Sequence, residues 1–521
     1  MSELIRDAPL GQFLRRITGN SILLHPEERP DFDYSPVTLK SEDRDSGNGS
    51  EQPFTTVTWY STDDKANPQN WTLGKKCFVH FLICLLTFAI YGGSSIVTSA
   101  QPFFREQWGV SAQGSLLVLS MYVLGYGTGP LFFSPLSEIP ALGRSFPYVM
   151  SYSLFLILSI PAALVNNYSG LVVLRFLQGF FGGPVLATGG ASAADMFSFP
   201  KLPYAMSIWV FAAYGGPALG PLLSVYAVAD LSWRWVMYEI LIIGGVTGAL
   251  LVCFLPETNP ETILLERAKR LRKVTGRSDL LSASEQKPTE LKLLPLLGRY
   301  LWTPFEVPLK DPAILFTDLY TALVYGIYYS FFESFPVAYG GVYGFSVEKM
   351  SLVFVALLIS CGLGVVIYVS LVWFIYEPYT MSNGVGIPEY RLVPGVYAAA
   401  LLPFSLFLFG WATRPEINWA VPSIGLLIFP GCAFVLIQVI LLYLPTSYPR
   451  YAASILAGNT FLRSATACAA IHFSQPMFEN MGVGKGNSIL GGICVACFFC
   501  FAGLWYFGPK LRAKSKFAEG C

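Results

Sequence analysis

The sequence predicts an all-α integral membrane protein of twelve transmembrane helices arranged as two six-helix halves, and three observations carry that expectation. Of 521 residues, 53% are hydrophobic and only 13% are charged, too apolar a mixture for a soluble chain of this length. Twelve apolar stretches each approach the roughly 20 residues that cross a bilayer as a helix. They fall six and six around one long hydrophilic segment. The net charge of +1 argues against a nucleic-acid partner.

Residues 1–76 are polar, rich in Asp, Glu, Ser and Pro, and contain no apolar run of signal-peptide kind. They read as a largely disordered cytoplasmic tail. At its end Trp59, Tyr60 and Trp71 suit the membrane interface, and Lys75 and Lys76 mark the inner side of the first span. The spans are expected at 77–98, 114–136, 146–165, 170–194, 204–228 and 235–255 in the first half (77–255). Those of the second half (313–508) fall at 313–336, 349–373, 392–412, 417–440, 450–473 and 487–508. The intervening loop, 256–312, holds ten of the Lys and Arg residues, so the positive-inside rule places it in the cytoplasm. An even number of spans on either side then puts both termini there too, in keeping with the basic tail 509–521, which carries Lys510, Arg512, Lys514 and Lys516. Within the loop, LLERAKRLRKVTG reads as a basic amphipathic helix, either lying on the inner membrane surface or simply solvated.

The ten cysteines lack the paired loop spacing of a disulfide framework. Cys494, Cys497 and Cys500 share a helix stripe, but with no histidine or acid beside them they read as packing, and no metal or cofactor is expected. His25, His80 and His472 are isolated, and no cluster of nucleophile, base and orienting group appears, so the chain is not expected to be an enzyme. No G-x-x-x-x-G-K loop indicates direct drive by ATP.

The candidate functional residues are the polar ones inside spans. Arg175 stands in the apolar run LVVLRFLQGFFGG, where a cation costs at least about 2.5 kcal/mol unless it faces a polar cavity or a partner. Gln178 follows one turn on, and Gly179, Gly182 and Gly183 strip side chains from the same helix so that neighbours can approach. Arg463 falls near mid-membrane and shares a helix face with Asn459 and Thr466. In span seven Tyr325, Tyr329, Phe332 and Glu333 form a stripe suited to flat organic molecules, with Gln438 of span ten in the same half. Glu333 reads equally as a proton carrier and as a carboxylate near the outer boundary that reaches water, whereas Asp195 and Asp318 sit near the inner boundary as caps or latch partners. Span five carries YGGPALGPL. There Pro217 removes a backbone donor, and Gly216 and Gly220, four residues apart, allow close packing.

Several segments resemble the major facilitator transporters, whose halves are inverted repeats of three helices with substrate bound between the halves. Gly129 to Tyr148, GPLFFSPLSEIPALGRSFPY, resembles the loop motif that latches the inner ends of the first half; it implies latch roles for Gly129, Glu138, Gly143 and Arg144, with Asp195 as partner. Ser145 stands where a second basic residue is often found. Arg175, Gln178 and Gly179 match the buried-arginine motif of span four, which implies proton transfer or stabilisation of a charged intermediate; a purely structural arginine is the competing reading. Gly215, Gly216, Pro217, Gly220 and Pro221 match the span-five motif of drug/proton antiporters rather than symporters. NPQNW, FLPET, YYSFFESFP, LPTSYPRYAAS and KLRAKSKFA extend the resemblance over nearly the whole chain from about residue 59. It is similar to the fungal twelve-span drug/proton antiporters, nearest the benomyl, methotrexate and fluconazole resistance branch. The resemblance implies a monomeric plasma-membrane exporter of hydrophobic small molecules, antifungals or toxins made by the cell, coupled to protons through Arg175, Gln178, Glu333 and Arg463. Tyr325, Tyr329, Phe332, Gln438 and Asn459 would line its cavity. A proton-coupled uptake symporter and a non-transporting receptor on the same fold are the alternatives.

Overall fold

Ten helical stretches are long and apolar enough to cross a membrane in the computed structural model, which describes residues 2–32, 34, 54–286, 293–384, 386, 388–448 and 452–515. One of them, Ser454–Ala513, is two helices joined across Gly482 (φ 79°, ψ 159°). The remaining span is Pro312–Phe335, a 24-residue helix with Asp318, Glu333 and four tyrosines in it. Twelve spans result.

Spans one to six are Leu73–Trp108, Ala112–Ser137, Ser145–Leu164, Tyr168–Met196, Leu202–Asp230 and Arg234–Phe254. Span seven is Pro312–Phe335, capped by Asp311, whose side chain accepts from Ala313 N and Ile314 N. Eight to ten are Val347–Asn383, Pro388–Ala412 and Ala420–Ser447, with eleven and twelve on either side of Gly482. Spans one and eight outlast their expected apolar runs because a helix satisfies its own backbone and continues into polar sequence.

The packing repeats with a period of six spans. Span one lies on five and seven on eleven; two lies on four and eight on ten; three lies on six and nine on twelve. The halves meet where span two touches eleven and span five touches eight. Four spans therefore bound whatever lies between the halves.

Among the described residues, 2–32 and 54–76 carry regular structure where residues 1–76 are expected to be largely disordered. Helices Ser2–Asp7 and Pro9–Ile17 pack against span six, and strand Thr55–Val57 pairs in parallel with Leu280–Ser282 of the central loop, Thr55 opposite Leu280. The basic loop helix Pro260–Thr275 packs against both strands. Val57, Ala268, Leu271 and Leu280 form a small apolar core. Around it Arg267 pairs with Asp64 at 2.7 Å and Arg270 with Glu27 at 2.8 Å. Composition misled here because the acids that make the tail polar neutralise the basic loop.

Burial alone would raise the Asp64 carboxyl, but the hydrogen bond and charge of Arg267 outweigh it and hold the group below its ordinary 3.8. A depressed carboxylate contributes stability above its unfolded pKa and loses it as pH falls through the folded value, so this clamp holds at neutral pH. Arg267→Ala removes the partner of Asp64 and the cation 4.0 Å from the Tyr60 ring. The expected result is faster tryptic cleavage after the exposed Lys65 in the purified protein; an unchanged rate would mean that the clamp contributes nothing.

Candidate substrate and coupling site

Glycines set the geometry. A side chain at Gly179 would begin 2.2 Å from Tyr122 O, and one at Gly129 2.2 Å from Phe180 O, so spans two and four touch backbone to backbone. Gly216 and Gly220 make the equivalent seam of span five on span one, where a Cβ would meet Gly92 N at 2.6 Å and Ser95 Oγ at 2.1 Å. Gly215 meets nothing closer than 3.4 Å. Pro217 and Pro221 lie inside the same unbroken helix.

These seams enclose Arg175, which is 0% exposed. Its Nη2 donates to Gly93 O at 2.6 Å, its Nε to Val118 O at 3.2 Å and its Nη1 to Gln178 Oε1 at 3.2 Å, while the guanidinium lies 4.1 Å from the Tyr122 ring centre. Gln178 Nε2 in turn donates to Ser159 Oγ at 2.9 Å. One cation thus ties spans one, two, three and four together through neutral dipoles, wholly inside the first half.

Between the halves the chemistry is aromatic. The Tyr126 hydroxyl shares hydrogen bonds with those of Tyr325 (2.8 Å) and Tyr329 (2.9 Å), and Tyr329 with Ser94 (3.1 Å). Beside this cluster is a cavity of about 20 Å³, walled by Tyr91, Trp209 and Tyr214 of the first half and by Tyr325, Tyr328 and Arg463 of the second. That volume suits a water molecule, not a drug. Of the five expected cavity residues only Tyr325 reaches this wall. Tyr329 is spent on the hydroxyl cluster, Phe332 stacks on Tyr329, Gln438 donates to Pro203 O at 3.4 Å, and Asn459 donates to Asp318 Oδ1 at 2.8 Å and Thr321 Oγ1 at 2.7 Å. Sequence reasoning missed Tyr91, Trp209, Tyr214 and Tyr328, because which face of an aromatic-rich helix looks across the interface is settled only by packing.

Both ends of the interface are closed. At the end bounded by the start of span two His472 of span eleven meets Ser120 Oγ at 2.8 Å and Gln113 Oε1 at 3.2 Å. Glu333 is buried nearby, and neither its Oε1 nor Gln101 Nε2 has a hydrogen-bond partner among the described residues. At the opposite end Glu377 of span eight pairs with Lys201 at 2.5 Å and accepts from the Tyr204 hydroxyl at 2.6 Å. The conformation is occluded.

Between spans two and three of the first half Arg144 bonds Asp195 at 2.5 Å. Glu138, expected as an acidic member of this latch, makes no ion pair within 4.0 Å among the described residues, yet it and Arg144 act on each other through their charges. The acid that completes the arrangement is Glu257 of the FLPET segment, which accepts from Arg144 N and Ser145 N at 3.0 Å each. Burial pushes its carboxyl above the ordinary range, against the downward pull of those N–H donors and of Asn259 N. Gly143 has a positive φ of 69° and a Cβ there would strike Glu257. Only glycine fits both constraints.

Residues 83–471 match the model of the Major Facilitator Superfamily. The chain is 38% identical to the MFS-type transporter pyvG of Aspergillus violaceofuscus over 100% of both chains. It is 37% identical to the fluconazole resistance protein 1 of Saccharomyces cerevisiae (95% of this chain, 92% of that one) and 34% identical to the cycloheximide resistance protein of Candida maltosa (99% and 100%). In fold it resembles the proton:xylose symporter XylE, with TM-score 0.57 at 16% identity over 84% of this chain and 96% of that one. A twelve-span chain with a six-span packing repeat, a site between its halves and relatives of this kind along its full length belongs to the Major Facilitator Superfamily.

Proposed function

We propose that the protein is a proton-coupled exporter of hydrophobic small molecules, antifungals or cell-made toxins among them, that works by alternating access in the plasma membrane as a monomer with both termini cytoplasmic. The observation that carries this reading is the end-to-end similarity to relatives named for fluconazole and cycloheximide resistance. The aromatic wall between the halves supports it, since such surfaces bind flat apolar molecules without demanding one shape. Opening the Lys201–Glu377 contact would admit substrate from inside, and parting the His472 contacts would release it outside.

Glu333 is the proposed proton carrier. A carboxyl buried between the halves with an unpartnered oxygen is stable when protonated and costly when charged, so binding a proton from an acidic exterior would favour closure over it. Arg175 and Gln178 hold the first half rigid during the exchange, and the span-five motif is its sealed seam.

The test is a sensitivity screen of deletion and overexpression strains across azoles, benzimidazoles, antifolates and natural toxins, with intracellular accumulation measured. Deletion should raise accumulation of at least one compound and overexpression lower it. Accumulation that falls on deletion would favour an uptake symporter, and no change with any compound would favour a receptor.

A further inference from the structure

The two buried arginines differ in what they have left to give. Arg175 sends Nε, Nη1 and Nη2 to protein acceptors. Arg463, only 6% exposed, sends Nη2 to Thr460 Oγ1 at a long 3.4 Å and interacts with the Tyr91 hydroxyl, while its Nε has no partner among the described residues. Among the described residues it forms no ion pair. The acid on the neighbouring stretch of span seven, Asp318, is engaged by Asn459. Arg463 also faces the cavity between the halves, with its guanidinium 5.2 Å from the Tyr325 ring centre. A buried cation that lines an inter-half cavity and keeps a spare donor is a group waiting for an acceptor.

We infer that Arg463 is the anchor of the substrate site and that the site takes planar aromatic molecules bearing a carboxylate, phenolate or strongly polarised carbonyl, and rejects aromatic cations. This rests on the transport reading above and narrows its substrate class. When the halves part, the aromatic side chains are free to sandwich the ring system while Arg463 donates to the oxygen at its edge. The same guanidinium repels a cation of equal shape, which would bring like charges together out of water.

The test uses the purified full chain and two dyes that share the xanthene frame: fluorescein, an anion, and the methyl ester of a rhodamine, a cation. Binding is read by fluorescence anisotropy. Fluorescein should bind at least about tenfold more tightly than the rhodamine ester. Arg463→Gln should weaken fluorescein by about tenfold or more and, with the like charge gone, tighten the rhodamine ester, and Arg463→Lys should recover part of the fluorescein loss because charge is kept and the planar fork is not. Equal or tighter binding of the rhodamine ester by the parent protein, equal weakening of both dyes in Arg463→Gln, or no binding of fluorescein each overturns the inference. The transport reading fails separately. A protein that expels an uncharged antifungal but ignores fluorescein keeps that reading and loses this one, whereas one that binds fluorescein through Arg463 but draws the antifungal inward does the reverse.

Discussion

Gly220→Leu is expected to abolish export by preventing correct assembly of the first half. The first carbon of the new side chain would begin 2.1 Å from Ser95 Oγ, 2.9 Å from Ile96 N and 3.0 Å from Gly92 O. Ser95 can rotate away, but the two backbone atoms belong to span one and can move only with it. Overpacking a close-packed core costs about 1–3 kcal/mol even when neighbours adjust, and here the side chain has three further carbons to place. The measurement is the monodisperse yield on size exclusion, beside drug efflux from cells. Gly215→Ala, one turn away with its nearest neighbour at 3.4 Å, should assemble normally. Pro217→Ala should assemble too, since alanine restores a backbone donor and suits a helix, yet export poorly if the proline matters for coupling. Normal assembly of Gly220→Leu would mean that spans one and five do not form this seam.

Arg175→Ala is expected to lower thermal stability and stop transport together. It leaves Gln178 Oε1 without its donor and takes from Gly93 O and Val118 O a charged second donor, the buried amide oxygen alone costing about 1–3 kcal/mol when unpaired. Arg175→Lys should recover only part, because one ammonium cannot reach acceptors on spans one and two and Gln178 at once with the geometry of a planar fork. Thermal unfolding of purified protein and efflux from cells are the two readouts. If Arg175→Ala is as stable as the parent but silent, the arginine acts in coupling rather than in holding spans one to four together.

The fold was open to reading because its signals are local: apolar runs of bilayer length, one basic loop, and glycines at fixed spacing in spans four and five. The glycine seams in particular were legible, since a missing side chain inside a membrane helix has few uses besides close approach. The site was legible in part. Arg175, Arg463 and Tyr325 stand out as polar groups in apolar sequence, but nothing local distinguishes an arginine whose donors are spent from one whose donor is free. Glu138 and Asp195 were legible as the acids around Arg144, whereas Glu257 reaches the backbone N–H of Arg144 from the segment after span six and carries no local mark of doing so. The tail went unrecognised as a folded element for a similar reason: Glu27 and Asp64 find their partners in the central loop some two hundred residues away.

The central claim, that substrate and protons move in opposite directions through one occluded intermediate, is tested most directly in proteoliposomes. Purified protein is reconstituted with pyranine inside to report pH, a gradient is imposed in either direction, and movement of a compound identified by the sensitivity screen is followed with the proton signal. Antiport predicts that the compound accumulates in vesicles with an acidic interior as protons leave, and that dissipating the gradient abolishes accumulation. Accumulation in vesicles with an acidic exterior, in the same direction as proton flow, would contradict it.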